Sequence, residues 1–170
     1  RDPGYLEREH IRVLRGWGET PAQIDPASVD WNRLGSALPY RLRQDPGPWN
    51  ALGRVKFMFP NAHNVYLHDT PARALFAQAE RSFSSGCVRL QNAPALAEWI
   101  LAGHPRWTPQ ALRDALASQQ TRTVHLPEPV PVYLLYWTAW VGADGAAQFR
   151  RDIYGRDAPL AAAVSAGHGP

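Results

Sequence analysis

Short runs of alternating apolar and polar residues along the chain predict a set of short strands. Within 64–68 the alternation places Val65 and Leu67 on one face and Tyr66 and His68 on the other. We interpret Tyr66 as a packing residue, whereas His68 lies at a strand end, where the chain leaves the sheet. The predicted strands are 55–59, 64–68, 121–126, 132–140 and 147–149, the last two joined by a hairpin turn at 143–145.

Helical spacing and capping residues predict short helices between these strands. Gly16 ends the first helix, and Asn92 and Thr108 are typical N-caps of two later ones. The predicted helices are 5–15, a short one that starts at Pro26, 72–76, 92–101 and 108–118, with irregular segments at 16–35 and 41–53. The pattern as a whole predicts one β-rich α+β domain.

Composition narrows the class of partner. The 170 residues carry a formal net charge of +3, and Lys56 is the only lysine. Because no dense basic stretch with interleaved aromatic residues occurs, we do not expect nucleic acid as a partner. The mild basic excess suits an anionic polymer or substrates that bear carboxylates. No run of 18 apolar residues occurs, so no transmembrane helix is predicted.

The single cysteine of the chain lies in a run that is typical of a reactive site. Cys87 follows a Ser-Ser-Gly turn and precedes Arg89 by two residues, and His68 lies nineteen residues earlier. A lone cysteine is usually a small buried packing residue, but turn chemistry and a nearby charge are unusual around a core cysteine. A nearby cation lowers a thiol pKa, and a histidine within reach can take the proton. Cys87 and His68 are therefore a candidate nucleophile and base.

Several separated motifs resemble one family. His68-Asp69-Thr70-Pro71 followed by Phe83-Ser84-Ser85-Gly86-Cys87-Val88-Arg89 resembles the signature of the L,D-transpeptidases with a YkuD-type catalytic domain. The segments that resemble its large Gram-negative, YcbB-like branch are 46–57, 59–61, 65–68, 131–140 and 149–154. The resemblance covers roughly residues 3–158.

The resemblance implies a fold and a domain organisation. The family fold is a β-sandwich-like catalytic domain with few helices, which we expect over 1–158, with 16–53 as a capping segment and 159–170 as a flexible tail. In the large branch the catalytic domain begins before the position that matches Arg1. Since the predicted strands would form only a small sheet, we expect further strands of this domain upstream.

The resemblance also implies an activity on peptidoglycan, without metal or cofactor. Cys87 would attack a tetrapeptide stem, release its terminal D-Ala and form a thioester that a second stem resolves, which gives a 3→3 cross-link. Such enzymes act in the periplasm, shape the cell wall and form adducts with carbapenems. His68 would be the base, and the N–H groups of Gly86 and Cys87, with Ser85 beside them, would form the oxyanion pocket. Many family members have histidine where this chain has Ser85.

Two nearby residues and three other interpretations stay open. Arg89 would hold the loop or a substrate carboxylate. Asp69 would orient the imidazole of His68 or contact substrate, although its place at a helix start favours capping. A zinc site made of His63, His68 and Cys87 lacks a typical ligand spacing. A Cys/His peptidoglycan peptidase, or a fragment that only binds peptidoglycan, would also account for the motifs.

Overall fold

A computed structural model describes residues 2, 4–17, 21–34 and 38–167 and divides the chain into two compact units, Arg1–Glu128 and Pro129–Pro170. The helices are α1 (Tyr5–Arg8), α2 (Ala93–Ile100), α3 (Pro109–Ala117) and α4 (Asp157–Gly167), with 3-10 turns at Pro26–Ser28 and Arg73–Ala77. The strands are β1 (Ile11–Arg15), β2 (Ala22–Ile24), β3 (Arg41–Gln44), β4 (Lys56–Phe57), β5 (Leu67–His68), β6 (Val88–Arg89), β7 (Ala139–Val141) and β8 (Ala147–Phe149).

The first sheet has the order β2-β1-β3 and corrects the prediction of a helix over 5–15. The helix ends after one turn, and His10 turns the chain with a φ of 53° before β1 begins. Val13 and Leu14 then lie fully buried side by side in β1, an arrangement that a strand covered on both faces allows. Sheet pairing thus overrides the helical spacing of the apolar residues. β2 and β3 also replace parts of the segments predicted to be irregular.

The second sheet, β4-β5-β6, carries the candidate site. β4 is antiparallel to β5, with Lys56 opposite His68. β6 is parallel to β5, with Leu67 beside Val88 and His68 beside Arg89. Because paired residues project to the same face of a sheet, Lys56, His68 and Arg89 form a row across one face.

The hydrophobic core of the first unit lies between α2 and α3. Both predicted N-caps are confirmed: the Asn92 side chain accepts from Ala95 N–H, and the Thr108 hydroxyl accepts from Ala111 N–H. Buried residues Ala97, Leu101 and Leu112 form the cluster, against which Val55 and Phe57 pack among others. Phe57 neighbours Lys56 on β4, so the face of the second sheet opposite to Lys56 rests on the core.

The second unit contains the β7-β8 hairpin and α4. The hairpin turn is confirmed, with Trp140 opposite Gln148, but the predicted strand over 132–140 is wrong for its first part, since β7 begins at Ala139. In the described chain, residues 121–126 and 132–137 form no strand, because apolar β-branched content does not suffice without a ladder partner. α4 was not expected from the sequence, although the alanines at 161–163 favour a helix.

The mixed α+β class is confirmed, with small sheets and a few helices. The β-sandwich architecture and the division into a domain over 1–158 and a tail over 159–170 stay predictions, and residues 168–170 of that tail lie outside the described residues.

Candidate active site

His68 is held rigidly at the end of β5. Its side chain is only 4% exposed, and its Nδ1 hydrogen-bonds to the backbone oxygen of Asp69. A carbonyl oxygen only accepts, so Nδ1 must carry the proton. This tautomer leaves the lone pair on Nε2, which is the arrangement that a general base needs.

The turn before β5 is shaped by one side chain. The Asn61 amide donates to the oxygens of Phe59 and Val65, at 3.0 and 2.7 Å, and its Oδ1 accepts from His63 N–H and Val65 N–H, both at 3.0 Å. Four hydrogen bonds from one asparagine fix the entry of the chain into β5, as is typical of Asx turns.

The carboxylate of Asp69 is buried and anchors two segments. Its Oδ2 accepts from Arg54 N–H at 2.9 Å, and its Oδ1 pairs with Arg73 Nη2 at 2.6 Å. Gly53 lies so close that a Cβ there would stand 2.4 Å from Oδ2 of Asp69. The interpretation of Asp69 as a helix cap is wrong, because no side chain caps the 3-10 turn at Arg73–Ala77. The backbone of Asp69, not its carboxylate, contacts the His68 ring, and a substrate contact stays a prediction.

The loop before β6 presents Cys87. Ser84 Oγ donates to the backbone oxygen of Cys87 at 2.5 Å and accepts from Gly86 N–H at 3.3 Å. Gly86 has a φ of +154°, which favours glycine. Gly86 N–H is engaged by Ser84, whereas Cys87 N–H makes no hydrogen bond within the described residues. Cys87 is half-buried and Ser85 is exposed.

Tyr66, which the sequence predicts to be a packing residue, lies beside Cys87 on the same face of the second sheet. Val88 N–H donates to the backbone carbonyl oxygen of Tyr66 at 3.1 Å, so Cys87 lies beside Tyr66 on the neighbouring strand. Burial raises the pKa of the Tyr66 phenol, and the hydrogen bond and charge interaction with Cys87 raise it further. The Tyr66 and His68 rings are 5.8 Å apart between centroids. The alternation within 64–68, which predicts Tyr66 and His68 on one face, was the sequence signal that could have identified Tyr66 as a site residue.

The reactive face of the second sheet thus carries five side chains in two rows. Lys56, His68 and Arg89 form one row, and Tyr66 and Cys87 form the next. In the part of the chain that the structure describes, no hydrogen bond joins the Cys87 thiol to the His68 ring, and Arg89 Nε is buried without a hydrogen-bond partner. The face therefore combines a thiol, a phenol, an imidazole and two cations, which suits nucleophilic attack on an anionic substrate.

Two further findings concern other kinds of site. Among the described residues, no group of three or more His, Cys, Asp or Glu side chains is placed to hold a metal ion. None of the helices described here has the length and apolar character that crossing a membrane requires.

Comparison with known proteins identifies the family. The model of the L,D-transpeptidase catalytic domain, YkuD, matches residues 3–112, a range that contains both His68 and Cys87. A Haemophilus influenzae protein named "Putative L,D-transpeptidase" is 40% identical over 156 residues, which is 92% of this chain and 31% of that protein. The chain thus belongs to the YkuD family of L,D-transpeptidase catalytic domains, and it spans less than a third of the length of this relative.

Proposed function

We propose that this chain is the catalytic part of a peptidoglycan L,D-transpeptidase, with Cys87 as the nucleophile and His68 as the base. The observation that carries the proposal is the parallel pairing of β5 and β6, which sets Cys87 on the face of the sheet that bears His68. Family membership supports the reaction class, and the fixed Nδ1 proton of His68 supports its role as a base at Nε2.

The first half-reaction forms an acyl-enzyme. His68 Nε2 accepts the thiol proton, and the Cys87 thiolate attacks the carbonyl at the L-centre of diaminopimelate in position 3 of a tetrapeptide stem. The C–N bond to the terminal D-Ala breaks, and D-Ala leaves with the proton from His68. Cys87 N–H, with Ser85 and Gly86 beside it, stabilises the oxyanion, and such a donor is typically worth about 10²–10³ in rate.

The second half-reaction transfers the acyl group. The side-chain amine of diaminopimelate in a second stem attacks the thioester carbonyl and gives a proton to His68. The new C–N bond completes the 3→3 cross-link, the C–S bond breaks, and His68 returns the proton to the Cys87 thiolate. Arg89 supports binding of a stem carboxylate, because its Nε is buried and has no partner among the described residues. Peptidoglycan stems, the donor and the acceptor, lie in the periplasm, where we place the reaction.

Mass spectrometry of the chain tests this proposal. Incubation with a carbapenem or with a synthetic tetrapeptide stem should add one acyl group to Cys87, and the stem should release one D-Ala per adduct. Cys87→Ala should show no adduct, and Arg15→Met, a surface change on β1, should react like the wild type.

The products separate the remaining interpretations. A cross-linked dimer supports transpeptidation, whereas a tripeptide alone, made at the same rate with excess acceptor, would show a peptidase. No adduct on a chain with native circular dichroism would overturn the assignment of Cys87 and would favour a domain that only binds peptidoglycan.

A further inference from the structure

The only lysine of the chain lies against the candidate site. The ammonium of Lys56 lies 3.8 Å from the centroid of the Tyr66 ring, well within the range of a cation–π interaction. Lys56 and Tyr66 are diagonal neighbours on antiparallel strands, a separation that a long side chain and an aromatic ring can span. Within the described residues, Lys56 has no carboxylate partner, so the ring is its principal contact.

The ring that Lys56 covers belongs to the residue that lies beside Cys87 in the second sheet. The pairing of the two strands sets Tyr66 beside Cys87, as the hydrogen bond from Val88 N–H to the backbone carbonyl oxygen of Tyr66 requires. A phenol hydroxyl that donates to a thiolate stabilises the charged form of the cysteine. That stabilisation depends on how firmly the ring is held, because only one of the staggered side-chain rotamers directs the hydroxyl toward Cys87.

We propose that Lys56 is a positioning residue, whose ammonium fixes the Tyr66 ring so that its hydroxyl supports the Cys87 thiolate. This inference rests on the proposed function, in which that thiolate is the nucleophile. Lys56 acts through Tyr66 and makes no contact with reacting atoms. Among the described residues of the second sheet, the charged or titratable groups on the same face as Cys87 are Tyr66 just before β5, His68 in β5, Lys56 in β4 and Arg89 in β6.

Alkylation of the full 170-residue chain measures this effect without a stem peptide. Because Cys87 is the only cysteine, the rate of iodoacetamide reaction against pH reports its thiolate directly. Lys56→Met keeps the aliphatic stem and removes the charge, and we expect a two- to fivefold slower reaction near pH 7, about the size of an exposed cation–π contact. Lys56→Arg should restore most of the rate.

The decisive comparison repeats Lys56→Met in a Tyr66→Phe background, which keeps the ring and loses the hydroxyl. If Lys56 acts through the hydroxyl, its effect should shrink to less than about 1.5-fold there, as coupled residues behave in a double-mutant cycle. An equal effect in both backgrounds would mean that the lysine charge acts on the thiolate directly and would overturn the proposal. So would a Lys56→Met chain that reacts like the wild type.

A matched control removes another cation–π contact, one formed by residues distant in sequence from Cys87. Arg15 lies over the Tyr40 ring, with 5.8 Å to its centroid, and Arg15→Met should leave the alkylation profile unchanged. The outcome is independent of transpeptidation: a chain that is alkylated with this coupling but forms no adduct with a stem would contradict the proposed function and leave the role of Lys56 intact.

Discussion

The two chemical groups of the candidate site lie on neighbouring strands but are held in opposite ways. His68 is buried, its ring is fixed by the Asp69 backbone, and Asn61 fixes the strand that carries it. Cys87 follows a loop whose residues 81–86 are all exposed and which Ser84 orders. The proposed base is thus held by buried contacts, and the proposed nucleophile follows an exposed loop. The proposed attack on a polymer needs both a preorganised base and an accessible nucleophile.

Removal of the His68 imidazole, the buried group of the pair, should have the largest effect on activity. We expect His68→Ala to lower the rate of acyl-enzyme formation about 10²–10⁴-fold, the usual contribution of a general base. Stopped-flow or quenched mass spectrometry with a carbapenem gives the rate. A loss below tenfold in a folded variant would place the base elsewhere.

Gly53, which lies against the buried carboxylate of Asp69 next to His68, should be the position where substitution lowers stability most. In Gly53→Ala the new Cβ meets Oδ2 and Cβ of Asp69 at 2.4 and 2.5 Å, and the backbone φ is +63°. Both effects oppose the native packing, so we expect a loss of roughly 1–3 kcal/mol in the free energy of unfolding. Urea denaturation measures it, and Gly16→Ala, which has a positive φ but open space around it, is the control. Equal losses in the two variants would show that the contact with Asp69 is unimportant.

Loosening the loop should affect reactivity more than stability. Ser84→Ala removes the hydrogen bond to the Cys87 oxygen and the acceptor of Gly86 N–H. Because these groups are exposed to water, we expect Ser84→Ala to lower the free energy of unfolding by at most about 1 kcal/mol. We also expect acylation of Cys87 to become several-fold slower. A variant as fast as wild type would show that substrate binding, not Ser84, orders the loop.

The smallest effect concerns the titration of Tyr66. Burial, and then Cys87, raise its pKa above the ordinary value of 10.0, so the phenol keeps its proton and stays a donor throughout the neutral range. The neutral form is favoured in the folded state, and this contribution to stability is complete below pH 10 and is lost as pH rises through the higher folded pKa. The ultraviolet difference between wild type and Tyr66→Phe, taken against pH, should therefore titrate above pH 10. A midpoint at or below 10 would contradict the burial of this phenol.

Local chemistry could be predicted from the sequence, and pairing in three dimensions could not. Asn92 and Thr108 were predictable because a cap and its helix lie within a few residues of each other. His68 and Cys87 were predictable from motifs. The strand at Ile11–Arg15 was missed because the spacing of its apolar residues fits a helix as well. Only pairing with β2 and β3 favours the strand over the helix.

The site interactions that were missed share a cause. Tyr66 lies beside Cys87 only because β5 and β6 pair in one register, and the carboxylate of Asp69, a predicted site residue, accepts from Arg54 N–H fifteen residues earlier in the chain. Such contacts depend on the register of a ladder, which no pattern in a single strand specifies.

The parallel pairing of β5 and β6 has a consequence for how this domain can diversify. The chain from Asp69 to Cys87 must cross from one strand to the start of the next, and the ladder holds both ends of that crossover. Insertions or deletions in its exposed middle, around residues 78–83, leave the register of the two strands unchanged. Changes of loop length can therefore alter the surface around Cys87, while the pairing of β5 with β6 is kept.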